Sequence, residues 1–258
     1  MGILELGSIE FVDLMPFILL GFIAQVVDGA LGMAFGVIVN TVLVGFLGVS
    51  PSRASTHVHL TKIFTTAASG ISHYFHGNID FGLFFRLLIP ALLGGVLGSL
   101  LLSNINGDII APFVLGYLFL MGVFMIGRAL SFSTRFRMPR FVVLIGTAGG
   151  FLDAVGGGGW GPVATSSLLV QGGEPRKVVG TVNSVEFFLT IVISVTFVLN
   201  LGVGEVVGPV IGLLIGGVIA APIGAFLARH LNPRLMFTFV GIAITLTSGI
   251  AIFWAIGH

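Results

Sequence analysis

Four polar residues stand in matching register inside apolar sequence. Lys62 lies well within one apolar run with His59 three residues before it, and Glu186 lies within another with Asn183 three residues before it. Residues three apart share a helix face, so each pair projects together. An ionisable side chain inside a membrane span costs about 2.5–3.5 kcal/mol on insertion scales, which makes each a candidate for function by default. Together these residue types suit the handling of a small anion. Lys62 attracts negative charge, Asn183 offers hydrogen bonds to oxygens, and Glu186 or His59 holds a proton that can couple to the ligand. The expectation is a midplane cluster of all four. A plainer reading stands beside it, in which Lys62 and Glu186 form a structural ion pair or Lys62 reaches for the interface.

Glycine supplies the second set of candidates. Gly29, Gly32 and Gly36 interrupt one long apolar run, and Gly156, Gly157, Gly158 and Gly159, followed by Trp160-Gly161-Pro162, interrupt another. A helix that restarts after such a break exposes backbone amides and about half a positive charge, and glycine lets a ligand approach them closely. Gly157, Gly158, Gly159 and Trp160, with Gly29 and Gly32 in the other run, are therefore expected to contact an anion; the alternative is a tight turn. Asp28 and Asp153 lie in the same two stretches, at positions that do not align, and either relay protons or cap the following half-helix. His57, two residues from His59 and so on another side of its helix, is a further candidate for proton coupling.

The elements that must position these residues follow from composition. Of 258 residues 56% are hydrophobic and 8% charged, the mean hydropathy is +1.14, and the net charge is +1. These values describe an integral membrane protein and exclude a basic field for nucleic acid. With no cysteine, thiolate metal sites, cysteine nucleophiles and iron–sulfur clusters are excluded, and no cofactor or metal is expected. Residues 1–13 carry Glu5, Glu10 and Asp13 but no Lys or Arg, unlike a secretory signal, and are expected to belong to the mature chain.

Apolar runs cover 12–49, 54–76, 81–103, 109–130, 141–171, 178–202, 206–228 and 235–257. Six suit one crossing of about 20 residues; the runs at 12–49 and 141–171 are longer and must be broken helices or hairpins. Eight of the eleven Lys and Arg residues fall in three clusters: Arg128, Arg135, Arg137 and Arg140; Arg176 and Lys177; Arg229 and Arg234. If both long runs return to the side they left, all three clusters share the cytoplasmic side, and Asp108, Glu205 and the acidic N-terminus lie outside. Hairpins fit better than single crossings.

The chain also repeats. Gly21-Phe22-Ile23 matches Gly150-Phe151-Leu152, and Gly48-Val49-Ser50-Pro51-Ser52-Arg53 lines up with Gly172-Gly173-Glu174-Pro175-Arg176-Lys177. Continued without a gap, His59 meets Asn183, Lys62 meets Glu186 and Thr66 meets Thr190. Each half is a hairpin plus three spans, an odd number of crossings, so the halves must be inverted relative to each other. The expected fold is an all-α polytopic membrane protein of two inverted-topology repeats, each a Gly-rich broken or re-entrant helical hairpin plus three transmembrane helices. Its parts are an extracytoplasmic segment 1–11, a first repeat 12–130, a basic cytoplasmic linker 131–140 and a second repeat 141–258. Inverted repeats with broken helices are a transporter design, with alternating access around a midplane site.

The stretch from Gly149 to Pro162, its counterpart from Gln25 to Gly36, and Glu174-Pro175-Arg176-Lys177 followed by Gly180-Thr181 resemble the TauE/SafE sulfite exporter family of membrane permeases. The resemblance covers nearly the whole chain. It implies export of sulfite or short organosulfonates across the bacterial cytoplasmic membrane, driven by the proton gradient, with the anion, protons and the bilayer as partners. Small-residue helix faces leave a homo-oligomer open. Two other readings remain: a passive anion channel, and an intramembrane hydrolase acting on a lipid phosphate through Ser55, His57 and His59. The hydrolase lacks the paired acidic and arginine residues that phosphate chemistry needs, and no enzymatic activity is expected.

Overall fold

Packing against an apolar solvent leaves an inside-out pattern, and the helix Phe81–Asn104 carries it. Phe85, Ile89, Leu93 and Leu97, four residues apart, are all more than half exposed, while Gly94, Gly95, Gly98 and Ser99 are buried. Only lipid makes that arrangement favourable, because small residues then bring helices close while the large apolar side chains meet acyl chains. The polar residues lie inside, concentrated on two helices. Ser55, Thr56, His57, His59, Thr61, Lys62 and Thr66 are buried on one, and Thr181, Ser184, Glu186, Thr190 and Ser194 on the other.

The computed structural model describes residues 11–31, 33–130, 140–165, 167–168, 171, 173–202, 207–227 and 233–256. Among them the elements are α1 (Phe11–Leu31), α2 (Phe35–Gly45), α3 (Pro51–Phe75), α4 (Phe81–Asn104), α5 (Gly107–Leu130), α6 (Val142–Gly156), a π-helical turn (Gly161–Thr165), α7 (Pro175–Leu201), α8 (Val207–Leu227) and α9 (Pro233–Ile256). Within α4, α5 and α7 lie stretches long and apolar enough to cross a membrane. Both long runs break where their glycines cluster, after Leu31 and after Gly156. Arg140 N–H donates to Gln171 Oε1 at 2.6 Å, so the two ends of the second run lie side by side and it doubles back. Much of the central linker, Glu205 and Arg229 fall outside the described residues, as does the segment before Phe11.

The principal neighbours are α1 with α8, α4 with α6, α5 with α9, α3 with α7 and α4 with α7; α2 packs on α1, α3 and α9, and α8 also touches α3. By sequence position α1 matches α6 and α4 matches α8, so the α1–α8 and α4–α6 contacts correspond. The correspondence reaches single atoms. A Cβ on Gly94 would strike the Thr147 carbonyl oxygen and lie 3.0 Å from the Phe151 nitrogen; one on Gly216 would strike the Ile18 carbonyl oxygen and lie 2.7 Å from the Phe22 nitrogen. Gly150 meets the Ala91 carbonyl as Gly21 meets that of Leu213. Successive contacts also give directions. Gly122 with Thr245 and Gly241 with Ile126 make α5 and α9 antiparallel, and Lys62 with Glu186 followed by Gly77 with Lys177 makes α3 and α7 antiparallel.

Candidate functional site

Both polar helices start on proline, Pro51 in α3 and Pro175 in α7, a residue preset for the first helical turn. From those matched starts, Lys62 and Glu186 arrive 124 residues apart and meet: Lys62 Nζ donates to Glu186 Oε1. Their side chains are 8% and 6% exposed. Two helices with matched sequence registers thus touch through these two residues, and the pair neutralises itself in a dry setting where either charge alone would be costly.

A second pair lies beside it. His59 Nδ1 is 2.7 Å from the Ser55 carbonyl oxygen, which can only accept, so that nitrogen carries a hydrogen. Nε2 faces Asp153 Oδ2 at 3.0 Å, and one proton is shared across that contact. Ser55 Oγ donates to the Ala154 carbonyl at 2.5 Å, fixing α3 to the end of α6. Asp153 and Asp28 both lie within electrostatic reach of Lys62.

The two aspartates perform one task in the two halves. Asp28 Oδ1 accepts from Phe35 N–H at 3.0 Å and Asp153 Oδ1 from Trp160 N–H at 2.9 Å, each across a seven-residue separation that spans the break. Each carboxylate caps the backbone that resumes after the break, as proposed from sequence for at least one of them. Their sequence misalignment has a simple cause. Asp28 follows its packing glycine, Gly21, by seven residues and Asp153 follows Gly150 by three, so α1 runs one turn longer before it breaks.

Gly36 and Gly158 meet backbone, and Gly156 and Gly157 meet the side chains of Tyr117 and Asn40. A Cβ on Gly36 would strike the Gly157 carbonyl oxygen, and one on Gly158 would strike the Val37 nitrogen, so the two broken tips pass in direct contact. Gly157 adopts a left-handed φ of 68°, which favours glycine. Gly159 packs against the Tyr117 hydroxyl and lies 2.9 Å, from its Cβ position, to the Asp153 nitrogen. The indole of Trp160 is fully buried and its Nε1 donates to the Val182 carbonyl at 3.0 Å, which anchors the tip to α7. Gly29 lies near the end of α1, and Gly32 lies outside the described residues.

Of the expected cluster, Lys62 and Glu186 join directly and His59 joins through Asp153. Asn183 departs from it. Its amide nitrogen is 3.4 Å from His73 Nε2, on the side of Glu186 away from His59. His57 is buried, and among the described residues neither ring nitrogen has a hydrogen-bond partner. Two residues were not anticipated. Asn40 donates to the Gly156 carbonyl at 2.6 Å, and Tyr117 fills the space left by Gly156 and Gly159. A lone Asn inside the apolar segment 35–45 was the available signal for the first.

Known proteins bear on this arrangement. The family described as Sulfite exporter TauE/SafE matches residues 17–251. The chain is 41% identical over 237 residues to the Probable membrane transporter protein YtnM of Bacillus subtilis (strain 168), covering 88% of this chain and 79% of that protein. No solved structure matches. An apolar helical assembly with buried charge pairs, matched over nearly its whole length by one family and closely by a relative named as a transporter, is a multi-pass membrane transporter, and the chain belongs to the TauE/SafE sulfite exporter family.

Proposed function

We propose that this chain is a secondary transporter of small sulfur-containing anions, sulfite or short organosulfonates, exporting them across the bacterial inner membrane with proton coupling. It has two inverted-topology repeats, 12–130 and 141–258, and works by alternating access around a midplane site between them. The antiparallel run of α3 against α7 and of α5 against α9 supports the inversion, since a two-fold axis in the membrane plane reverses every helix it exchanges. The central basic loop is then cytoplasmic.

One observation carries the reading: the buried Lys62–Glu186 pair lies where the two halves meet. An arriving anion competes with Glu186 for the same lysine. Once displaced, the carboxylate faces an anion in a dry site, and taking up a proton removes that repulsion. Anion binding and Glu186 protonation are therefore linked, and the proton leaves when the anion does. His59 with Asp153 forms the adjacent proton reservoir, with Asp28 and His57 further along. Asn183 and the amides around Gly157, Gly158, Gly159, Gly29 and Gly32 serve the anion as the tips part.

The experiment is flux of sulfite and, separately, of an alkanesulfonate in proteoliposomes with a lumenal pH dye. Saturable flux with proton movement, abolished by Lys62→Ala, is expected. Flux that Lys62→Ala leaves intact would overturn the reading, and conduction without protons would indicate the passive channel.

A further inference from the structure

Beyond Lys62, one face of α3 carries Thr66, Ser69 and His73, at spacings of four, three and four. Thr66 is buried, and Ser69 and His73 are half-buried. The ring of His73 sits between two amides, that of Asn183 at 3.4 Å and that of Asn78, in the turn before α4, at 3.3 Å. Hydrogen-bonding groups thus continue from the ion pair to the end of the helix.

The repeat provides an internal comparison. At the same offset of 124, the matching positions on α7 are Thr190, Ile193 and Phe197, all fully buried. Past Thr190 the buried positions turn mostly apolar, with Ser194 the exception. Phe197 packs on the fully buried His59 with ring centroids 6.4 Å apart, and this contact is the counterpart of Asn183 with His73. At one end the helix pair presents polar, partly exposed side chains; at the other, the fully buried Ile193 and Phe197 close over the buried His59.

We infer that the Thr66, Ser69 and His73 face of α3, with Asn183 opposite, forms the aqueous half-path by which a small anion and its proton reach Lys62 and Glu186 from the side of the α3–α4 turn, and that Ile193 and Phe197 form the closed gate on the other side. What travels there rests on the transporter reading; the path itself is a question of water access.

The chain has no cysteine, so single substitutions report without background. Ser69→Cys, His73→Cys, Ile193→Cys and Phe197→Cys in lipid nanodiscs, open to both faces, would be reacted with 2-sulfonatoethyl methanethiosulfonate, an anionic water-soluble thiol reagent. The first two are expected to react at least about tenfold faster than the last two, the thiolate lost for a one-unit rise in pKa on burial. Equal rates would overturn the inference. So would reaction of Ser69→Cys and His73→Cys with a lipid-soluble maleimide alone, which places that face against acyl chains. Thr66→Cys against Thr190→Cys repeats the comparison should a deeper variant fail to elute as a single species. Labelling needs no transport, so expected labelling in a protein that moves neither anion refutes the substrate and keeps the path. Active transport with equal labelling refutes the path alone.

Discussion

Replacing Glu186 by glutamine tests the competition for Lys62 directly. Glutamine keeps the shape and an acceptor oxygen but removes the charge and the proton site. On the proposed mechanism a monoanion crosses in the parent protein with the proton that Glu186 takes up, and the step moves no net charge. In Glu186→Gln the anion moves alone. Each elementary charge crossing the membrane responds by about 2.3 kcal/mol per 100 mV. At about 1.36 kcal/mol per tenfold, that is roughly a 50-fold change in the equilibrium accumulation ratio. An alkanesulfonate, with the potential clamped by a potassium gradient and valinomycin and pH followed by a lumenal dye, gives both readouts. Accumulation by the parent should be indifferent to potential and accompanied by protons; accumulation by Glu186→Gln should follow potential and leave pH unchanged. If the variant still carries one proton per anion, or the parent follows potential in full, Glu186 is not the coupling group. A proton moving with the anion also means that an inward proton gradient opposes export, so on this mechanism the drive is the anion's own gradient and not, as the family resemblance implies, the proton gradient.

Two further outcomes follow from the packing. Lys62→Glu and Glu186→Lys should each destabilise the protein by about 3–5 kcal/mol through an unpaired buried charge, and the double exchange should recover most of it; thermal unfolding in detergent measures this, and a double variant as unstable as the singles would exclude a stabilising pair. Alanine at Gly94 or at Gly216 should each cost about 1–3 kcal/mol by overpacking. Gly116→Ala, with nothing within 4 Å of the added methyl, should be silent in the same assay.

Much of the architecture is legible in the sequence because a span has a fixed length and apolar faces cannot be hidden. The runs at 54–76 and 81–103 lie within a few residues of α3 and α4. Lys62 and Glu186 are legible as partners because the repeat is ungapped through them. The pairing of His59 with Asp153 is not, since it joins a span to a hairpin tip 94 residues away and no periodicity links those elements. Trp160 shows a different limit: with the glycines before it, its sequence position suggests a backbone amide free for an anion, whereas that N–H donates to Asp153 Oδ1 at 2.9 Å. Asn183 was grouped with His59 by symmetry, but the axis that makes them equivalent also sets them on opposite sides of the ion pair.

The ion pair on that axis also constrains how such a molecule could arise. If two identical copies of one half assembled with this geometry, a residue at the self-equivalent position would face its own copy, lysine against lysine or glutamate against glutamate. Like charges cannot neutralise each other in a dry interface. Opposite charges there require two halves that differ in sequence, which identical copies cannot supply. A single chain whose halves have diverged meets that requirement, with lysine at position 62 and glutamate at position 186.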